Sequence, residues 1–310
     1  MSDSAFVPAP DYDQQVAAEK SEFDPGKYDA STLLENTTSA LNYTLEAFNH
    51  KIARALGAGP WDYIAAQVDA MPGAKVLSLG SGPCGVEIAL AKMFSGPYEF
   101  TCLDLNEKLL EMGAASAREA GIEIRTIAQD ANFLKLDQTY DLILAHASLH
   151  HFINFEHIFR ELHDHLSARG LFVAHEPVPR NGMLLWPRTK ELVDRVFAVL
   201  PGRYRRDHGV LHQSFPDIEY TQGTFECVRS EEVVPLLEKF FHVEAKVLGH
   251  AFTRRFVDGG FGANYDLTRE EDRVILDLLL AFDDMMTGHG FLAPENVFMV
   301  MRRKGSPAGK

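Results

Sequence analysis

The sequence predicts an α/β fold in which a mostly parallel sheet is covered by helices on both faces. Apolar runs of strand length alternate with amphipathic helical segments between residues 76 and 175. The first strand runs directly into the loop Gly80-Ser81-Gly82-Pro83-Cys84-Gly85 and then into a helix. The second strand ends in an acid, Asp104, which lies 24 residues after Gly80. A carboxylate at this distance from a glycine loop is typical of sites that hold the ribose of a nucleotide.

Composition and charge narrow the class of protein. The chain has 310 residues, of which 46% are hydrophobic and 24% charged, and its net charge is -14. This acidic balance argues against a nucleic-acid partner, because phosphate backbones need basic surfaces. Three cysteines form neither a disulfide framework nor a zinc motif. With no basic, apolar leader and no apolar run of membrane length, we expect a cytoplasmic protein without a membrane partner.

The first 71 residues precede the sheet. Residues 1–30 are polar and interrupted by prolines, so they fit either a disordered tail or an arm that closes over the ligand with Phe23 or Tyr28. Residues 31–56 carry leucines and other apolar residues at helical spacing, and a second helix starts at Pro60. We therefore expect a helical cap over residues 31–71.

The core elements then follow in alternation. Three helices are predicted in this region. The first covers residues 84–95, the second has Asn106 as its N-cap and ends at Gly121, and the third covers residues 155–168 and stops at Gly170. The predicted strands cover residues 99–104, 123–128, 140–146 and 171–175.

The chain beyond residue 177 has a looser pattern. It predicts a helix within residues 183–200, a helix capped by Ser230, a strand at 242–252, a helix with a Thr268/Glu271 capping box, and a last strand at 296–302. Two long insertions, about 181–229 and 254–294, follow the fifth and sixth strands, and we expect them to shape an acceptor pocket.

Four segments in this order resemble the motifs of the class I S-adenosylmethionine-dependent methyltransferases. They are VLSLGSGPCG, CLDLN, AQDAN and YDLILAHASLHHF. The resemblance covers about residues 72–176. The chain departs from the family pattern at Ser78, where the family often has an acid, and at Cys84, where it usually has a small residue. The resemblance implies a Rossmann-like, seven-stranded sheet with an antiparallel last strand, a domain over residues 72–310, and S-adenosylmethionine as cofactor.

The resemblance also assigns cofactor contacts. Asp104 would accept hydrogen bonds from the ribose hydroxyls, and Asp130 would accept one from the adenine amino group. The full set of implied cofactor residues is Gly80, Ser81, Gly82, Asp104, Leu105, Asp130, Ala131, Ala145 and His146.

A methyl acceptor that reacts through oxygen needs a base, and imidazole suits the task because its pKa lies near neutrality. His146 ends the fourth strand and is our first candidate, with His150 and Glu176 as further catalytic candidates; His151 and His175 are also at strand ends. The spacing of these histidines fits no metal motif, so we expect no metal. Arginines at positions 203, 205, 206, 254 and 255 fit either a solvated loop or an anion clamp.

The leading prediction is therefore a methyltransferase acting on an oxygen or nitrogen of a small molecule, in a natural-product or glycan pathway. Two alternatives stay open: an NAD(P)-dependent oxidoreductase that uses the same glycine loop, and a non-catalytic protein that binds S-adenosylmethionine. The sequence does not determine the acceptor or the oligomeric state.

Overall fold

A seven-stranded sheet forms the centre of the protein. The structure, a computed structural model, describes residues 6–27, 38–221 and 223–305. The sheet strands are β1 (Ala74–Leu79), β2 (Tyr98–Asp104), β3 (Arg125–Ala128), β4 (Tyr140–His146), β5 (Leu166–Pro177), β8 (Phe241–Leu248) and β9 (Asn296–Arg303). Their order is β3-β2-β1-β4-β5-β9-β8. The first five pair in parallel, and β9 runs antiparallel to both of its neighbours. The predicted fold class is confirmed.

The remaining elements within the described residues are nine α-helices, seven short 3₁₀ helices and a short hairpin. The α-helices are α1 (Tyr12–Glu22), α2 (Ser39–Leu56), α3 (Pro60–Asp69), α4 (Gly85–Ala91), α5 (Glu107–Glu119), α6 (Phe155–His165), α7 (Pro187–Val199), α8 (Ser230–Phe240) and α9 (Glu270–Gly288). The hairpin pairs β6 (Arg206–Asp207) with β7 (Val210–Leu211). In the described chain, no helix combines the length and apolar character that crossing a bilayer requires.

Side-chain alternation along the strands builds a core on each face of the sheet. Ile143 and Phe172 face the side covered by α6 and α8, where Phe159 packs. Leu142 belongs to the opposite face, together with Ile52 of α2. Burial on both faces explains why these strands are continuous apolar runs.

The strand order reverses between β1 and β4, because the chain passes from β1 to β2 and β3 on one side and to β4 and β5 on the other. In open α/β sheets the ligand crevice lies at the carboxyl ends of the strands at this reversal. The fold therefore places the glycine loop after β1 beside the ends of β2 and β4.

Several predicted boundaries need correction. Helix α6 ends at His165 and β5 begins at the next residue, so Gly170 lies inside a strand and is not a helix stop. Ser230 lies within α8 and makes no capping bond. Thr268 bonds to Asp266 and not to the start of α9, because α9 begins two residues later. Residues 31–37 of the first predicted helix lie outside the described residues; α2 begins after Thr38, whose side chain accepts the N–H of Leu41.

The two insertions pack against each other and form a separate apolar cluster. Phe197 of α7 contacts Phe215 and Phe256, with Leu279 of α9 in the same cluster. Asp283 is fully buried and accepts the N–H groups of residues 251–253. This carboxylate ties the loop after β8 to α9.

Candidate active site

The glycine loop fits closely against the loop that follows β4. Gly80 has φ +63°, and a Cβ at this position would lie 2.5 Å from the Cβ of Ser148. Gly82 has φ +49°, and a Cβ there would meet no atom within 4 Å. Gly80 is therefore required for packing, whereas Gly82 exposes its backbone to open space that a ligand can occupy.

Asp104 closes the glycine loop from the end of β2. One carboxylate oxygen accepts the N–H of Gly82 at 2.7 Å and the other accepts the N–H of Asn106 at 2.7 Å. Burial raises the pKa of this carboxyl, while the two N–H bonds oppose the shift. Each oxygen keeps one lone pair, so Asp104 can still accept two hydroxyl groups.

A cavity of about 230 Å³ lies between this carboxylate, the glycine loop and the ends of β3 and β4. Seven of the predicted cofactor residues line it: Gly80, Ser81, Gly82, Asp104, Leu105, Asp130 and Ala131. Ala145 and His146 are absent from its wall. Ala145 is fully buried in the sheet core, and His146 points to the sheet face covered by Trp61 of α3. Their predicted cofactor contacts stay predictions.

Helix α1 lies across the cavity. The hydroxyl of Tyr12 donates to Asp130 at 2.6 Å, and Asp130 also accepts the N–H of Asn132. Glu19 and Phe23 line the cavity, and the Phe23 carbonyl accepts a bond from the Asn106 side chain. The same carboxylate that we expected to meet adenine thus also holds the arm.

Sequence reasoning missed Tyr12 and Glu19. The signal that was available is their spacing, because positions 12, 19 and 23 share one face of a helix. The polar composition of the segment hid this pattern. Tyr28, the other residue proposed for the arm, lies outside the described residues.

His151 is the histidine that lines the cavity. Its Nδ1 lies 2.8 Å from Glu19 and its Nε2 lies 3.4 Å from Glu226. Burial lowers the pKa of this imidazole, but the two carboxylates outweigh burial and raise it. This histidine therefore joins α1, the loop after β4 and the first insertion.

The catalytic roles of His150 and Glu176 stay predictions, and the structure places both side chains away from the cavity wall. Glu176 is fully buried at the end of β5 and accepts the N–H groups of Ser148 and Leu149. His150 is buried beside it, with Nδ1 3.2 Å from Glu176. Neither side chain lines the cavity. Glu176 acts as a turn carboxylate that shapes the loop, since its oxygens are already taken by backbone donors.

His146 is our first catalytic candidate, and it lies beside His175 with a ring distance of 5.2 Å. Burial lowers the pKa of both imidazoles, in the case of His175 to about 3. Both are therefore neutral at physiological pH. A base role for His146 stays a prediction, although it lies off the cavity described here.

The predicted arginine cluster is dispersed among internal ion pairs. Arg203 pairs with Asp272, Arg254 with Asp258, and Arg255 with Glu295, while Arg206 bonds to the Gly209 carbonyl. These pairings occupy four of the five predicted arginines, while Nε of Arg205 is buried without a hydrogen-bond partner. The described arginines do not converge on one anion clamp.

Comparisons with known proteins agree with the motifs. The family model described as "Methyltransferase domain" matches residues 76–170. Malonyl-[acyl-carrier protein] O-methyltransferase of Bacillus cereus is 27% identical over 99 residues, which are 32% of this chain and 36% of that protein. The chain thus aligns with about a third of that relative's length.

Solved structures with a similar arrangement include two methyltransferases. One is the O-methyltransferase from a trans-AT PKS multienzyme of Brevibacillus brevis in complex with S-adenosyl-L-homocysteine, at 12% identity and a TM-score of 0.46. The alignment covers 87% of this chain and 81% of the chain of that enzyme. The other is a putative sarcosine dimethylglycine methyltransferase from Galdieria sulphuraria, at 16% identity and a TM-score of 0.46, covering 84% of this chain and 86% of its own.

The family match spans β1 to the first part of β5, the same segment that carries the glycine loop, Asp104 and Asp130. S-adenosylmethionine is the cofactor by which this family is defined. Over residues 76–170 the chain therefore matches a methyltransferase-domain family, in agreement with the resemblance of its motifs to the class I S-adenosylmethionine-dependent methyltransferases.

Proposed function

We propose that the protein transfers a methyl group from S-adenosylmethionine to an oxygen or nitrogen of a small molecule. The observation that carries this proposal is the pairing of Gly82 and Asp104 at the edge of one cavity. Gly82 leaves its backbone open, and Asp104 keeps one free lone pair on each oxygen for a ribose diol. A half-buried carboxylate that keeps unused lone pairs beside a cavity favours a polar ligand over a purely structural role.

The residues that line the cavity offer a contact to each part of this cofactor. Asp104 would hold the ribose, Leu105 and Ala131 would flank the adenine, and the loop from Gly80 to Gly82 would meet the methionine portion. When bound, the sulfonium supplies an activated methyl carbon, so the chain's own residues mainly orient the acceptor and exclude water. Orientation of this kind supplies about 7–11 kcal/mol of a reaction barrier.

The structure also supports a closed site. Helix α1 lines the cavity through Glu19 and is held to Asp130 by Tyr12, and Phe225 of the first insertion also lines the cavity. The N–H of Phe225 donates to Glu19 at 3.0 Å, so the arm and the insertion are joined. The cavity volume lies somewhat below the range of about 300–1,000 Å³ for ligand pockets, as expected when an arm lies over it. We propose that α1 opens for exchange of cofactor and product.

We propose a small, enclosed acceptor that enters at the corner of the cavity formed by Ala147, Ser148 and His151. Support comes from position, because these residues follow β4, next to the glycine loop. An acceptor from a natural-product or glycan pathway remains our proposal. The Bacillus cereus relative is named for an acyl-carrier-protein substrate, which adds carrier-bound acids to the acceptors that deserve testing.

Two experiments test the proposed function. Calorimetric titration of the full chain with S-adenosylmethionine and with NAD should show binding of the first and none of the second; the reverse result would replace the methyltransferase with an oxidoreductase. Incubation with methyl-labelled cofactor and a panel of hydroxy acids, phenols, amines and carrier-bound acids should give one labelled product. Cofactor binding without label transfer across the panel and a metabolite extract would favour the non-catalytic alternative.

A further inference from the structure

Two adjacent histidines and three glutamates come together beside the cavity, and of these five residues His151 and Glu19 line its wall. His150 and His151 come from the turn after β4, Glu176 from the end of β5, Glu19 from α1, and Glu226 from the first insertion. Each of these three carboxylates forms ion pairs with one or both of the two imidazoles. Side-chain exposure ranges from 0% for Glu176 to 20% for Glu226. Buried carboxylates that outnumber their basic partners are stabilised by a compensating cation or by protonation of a carboxyl group.

Each of the two rings has a carboxylate behind its Nδ1, which is hydrogen-bonded at His150 and within ion-pair distance, without a hydrogen bond, at His151. His150 directs Nδ1 to Glu176 at 3.2 Å, and His151 directs Nδ1 to Glu19 at 2.8 Å. A carboxylate on one ring nitrogen keeps the proton there and leaves the lone pair on the other nitrogen. The same arrangement, carboxylate to imidazole to metal, holds histidine ligands in metalloproteins.

Both Nε2 atoms converge on one carboxylate. They lie 3.7 Å and 3.4 Å from separate oxygens of Glu226, and ligand atoms of the three residues lie within 4.8 Å of one another. Ligand atoms of a tetrahedral ion with bonds of about 2.0–2.1 Å are roughly 3.3 Å apart. An ion would therefore need only small side-chain shifts.

The backbone is built to hold this geometry. Cys227, next to Glu226, donates its N–H to the carbonyl of His150 at 2.9 Å. Cys227 and Ala147 both have positive φ, +52° and +49°. Left-handed backbone is strained for residues with a side chain, and such strain concentrates at functional sites.

We propose that His150, His151 and Glu226 bind a divalent transition-metal ion, of which zinc is the best fit, with Glu176 and Glu19 as the supporting carboxylates. Two imidazoles and one carboxylate are a ligand set for such ions and not for Mg²⁺ or Ca²⁺, which prefer oxygen ligands. Three protein ligands leave a position open for water or an oxygen of a bound molecule. The expectation of no metal rested on spacing within the β4 segment, which gave no sign of Glu226, 75 residues after His151.

Metal titration of the full chain tests the site directly and needs no methyl acceptor. The chain is stripped with a chelator and titrated with Zn²⁺ by calorimetry and with Co²⁺ by visible absorption, with Mg²⁺ in excess. We expect one equivalent bound, with Co²⁺ absorption bands of a nitrogen and oxygen site. Glu226→Gln should weaken Zn²⁺ binding at least tenfold. Glu219→Gln, the same change at an exposed position of the same insertion, should leave it unchanged.

Folding of the variants is checked by circular dichroism, and His151→Gln serves as a second variant if Glu226→Gln fails to fold. Absence of stoichiometric Zn²⁺ or Co²⁺ binding by the unaltered chain would overturn the proposal, since an imidazolium at His151 would then be the cation that balances the carboxylates. Binding that survives Glu226→Gln at full strength would overturn it as well. Neither result depends on whether the protein transfers methyl groups.

Discussion

Replacement of Asp104 by asparagine tests the central contact of the proposed cofactor site. The two oxygens accept the N–H groups of Gly82 and Asn106 at 2.7 Å each, which leaves one lone pair on each oxygen for a ribose hydroxyl. An amide keeps the shape but loses the charge and replaces one acceptor with a donor. At least one charge-assisted hydrogen bond to the ribose is lost, worth about 1.5–3 kcal/mol. The dissociation constant for S-adenosylmethionine should therefore rise about 10- to 150-fold.

Calorimetry with S-adenosylmethionine and S-adenosylhomocysteine measures this change. The new amide also faces a backbone N–H, so the thermal midpoint of Asp104→Asn is measured beside it and binding is compared well below that midpoint. Asp137→Asn is the matched control, because Asp137 is exposed and pairs with Arg125 away from the cavity. An Asp104→Asn protein that is folded and binds as tightly as the control would refute the ribose role.

Three further predictions concern the arm, the insertions and pH. Tyr12→Phe removes the bond to the Asp130 carboxylate, worth about 1.5–3 kcal/mol, so amides of α1 should exchange hydrogen about 10- to 150-fold faster. Unchanged exchange would mean that the arm is held by other contacts. Asp283→Asn should lower the free energy of unfolding by about 2–4 kcal/mol in urea, because buried N–H donors lose their acceptor, whereas Asp284→Asn at a half-exposed site should cost little. Burial lowers the pKa of His175 to about 3, below the value near 6.5 of an unfolded chain. The unfolded state therefore binds more protons between these values, and stability should fall by up to about 2 kcal/mol as pH drops from 6.5 to 5. His175→Leu should reduce this slope, and a slope identical to that of the unaltered chain would contradict the argument.

The sheet could be predicted from sequence because its signals are local. Burial on both faces makes each parallel strand an apolar run, and the next helix begins at a residue such as Asn106, whose side chain caps it in the structure. The glycine loop and Asp104 belong to the same local pattern, since a turn and a strand end are each read within a few residues. These are the parts of the site that the cavity brings together.

The rest of the cavity wall depends on contacts between distant segments. Tyr12 reaches Asp130 across 118 positions, and Glu19 accepts the N–H of Phe225 across 206. The spacing of positions 12, 19 and 23 marks one face of a helix, but in a short polar helix it does not identify the partners of that face. Glu226 lies in an irregular stretch without a motif. Only the folded chain places its carboxylate next to the two histidines, so the sequence gives no sign of this contact.

The position of Glu176 changes how mutations near this site should be interpreted. Its carboxylate holds the N–H groups of Ser148 and Leu149, and Ser148 in turn packs on Gly80 with no room for a Cβ between them. The shape of the glycine loop is therefore coupled to a carboxylate at the end of β5. Loss of activity in Glu176→Gln would not by itself identify a catalytic base, because a displaced turn would disturb the cofactor loop too. A positioning role predicts that cofactor binding and turnover fall together, whereas a base would lower turnover and leave the dissociation constant unchanged.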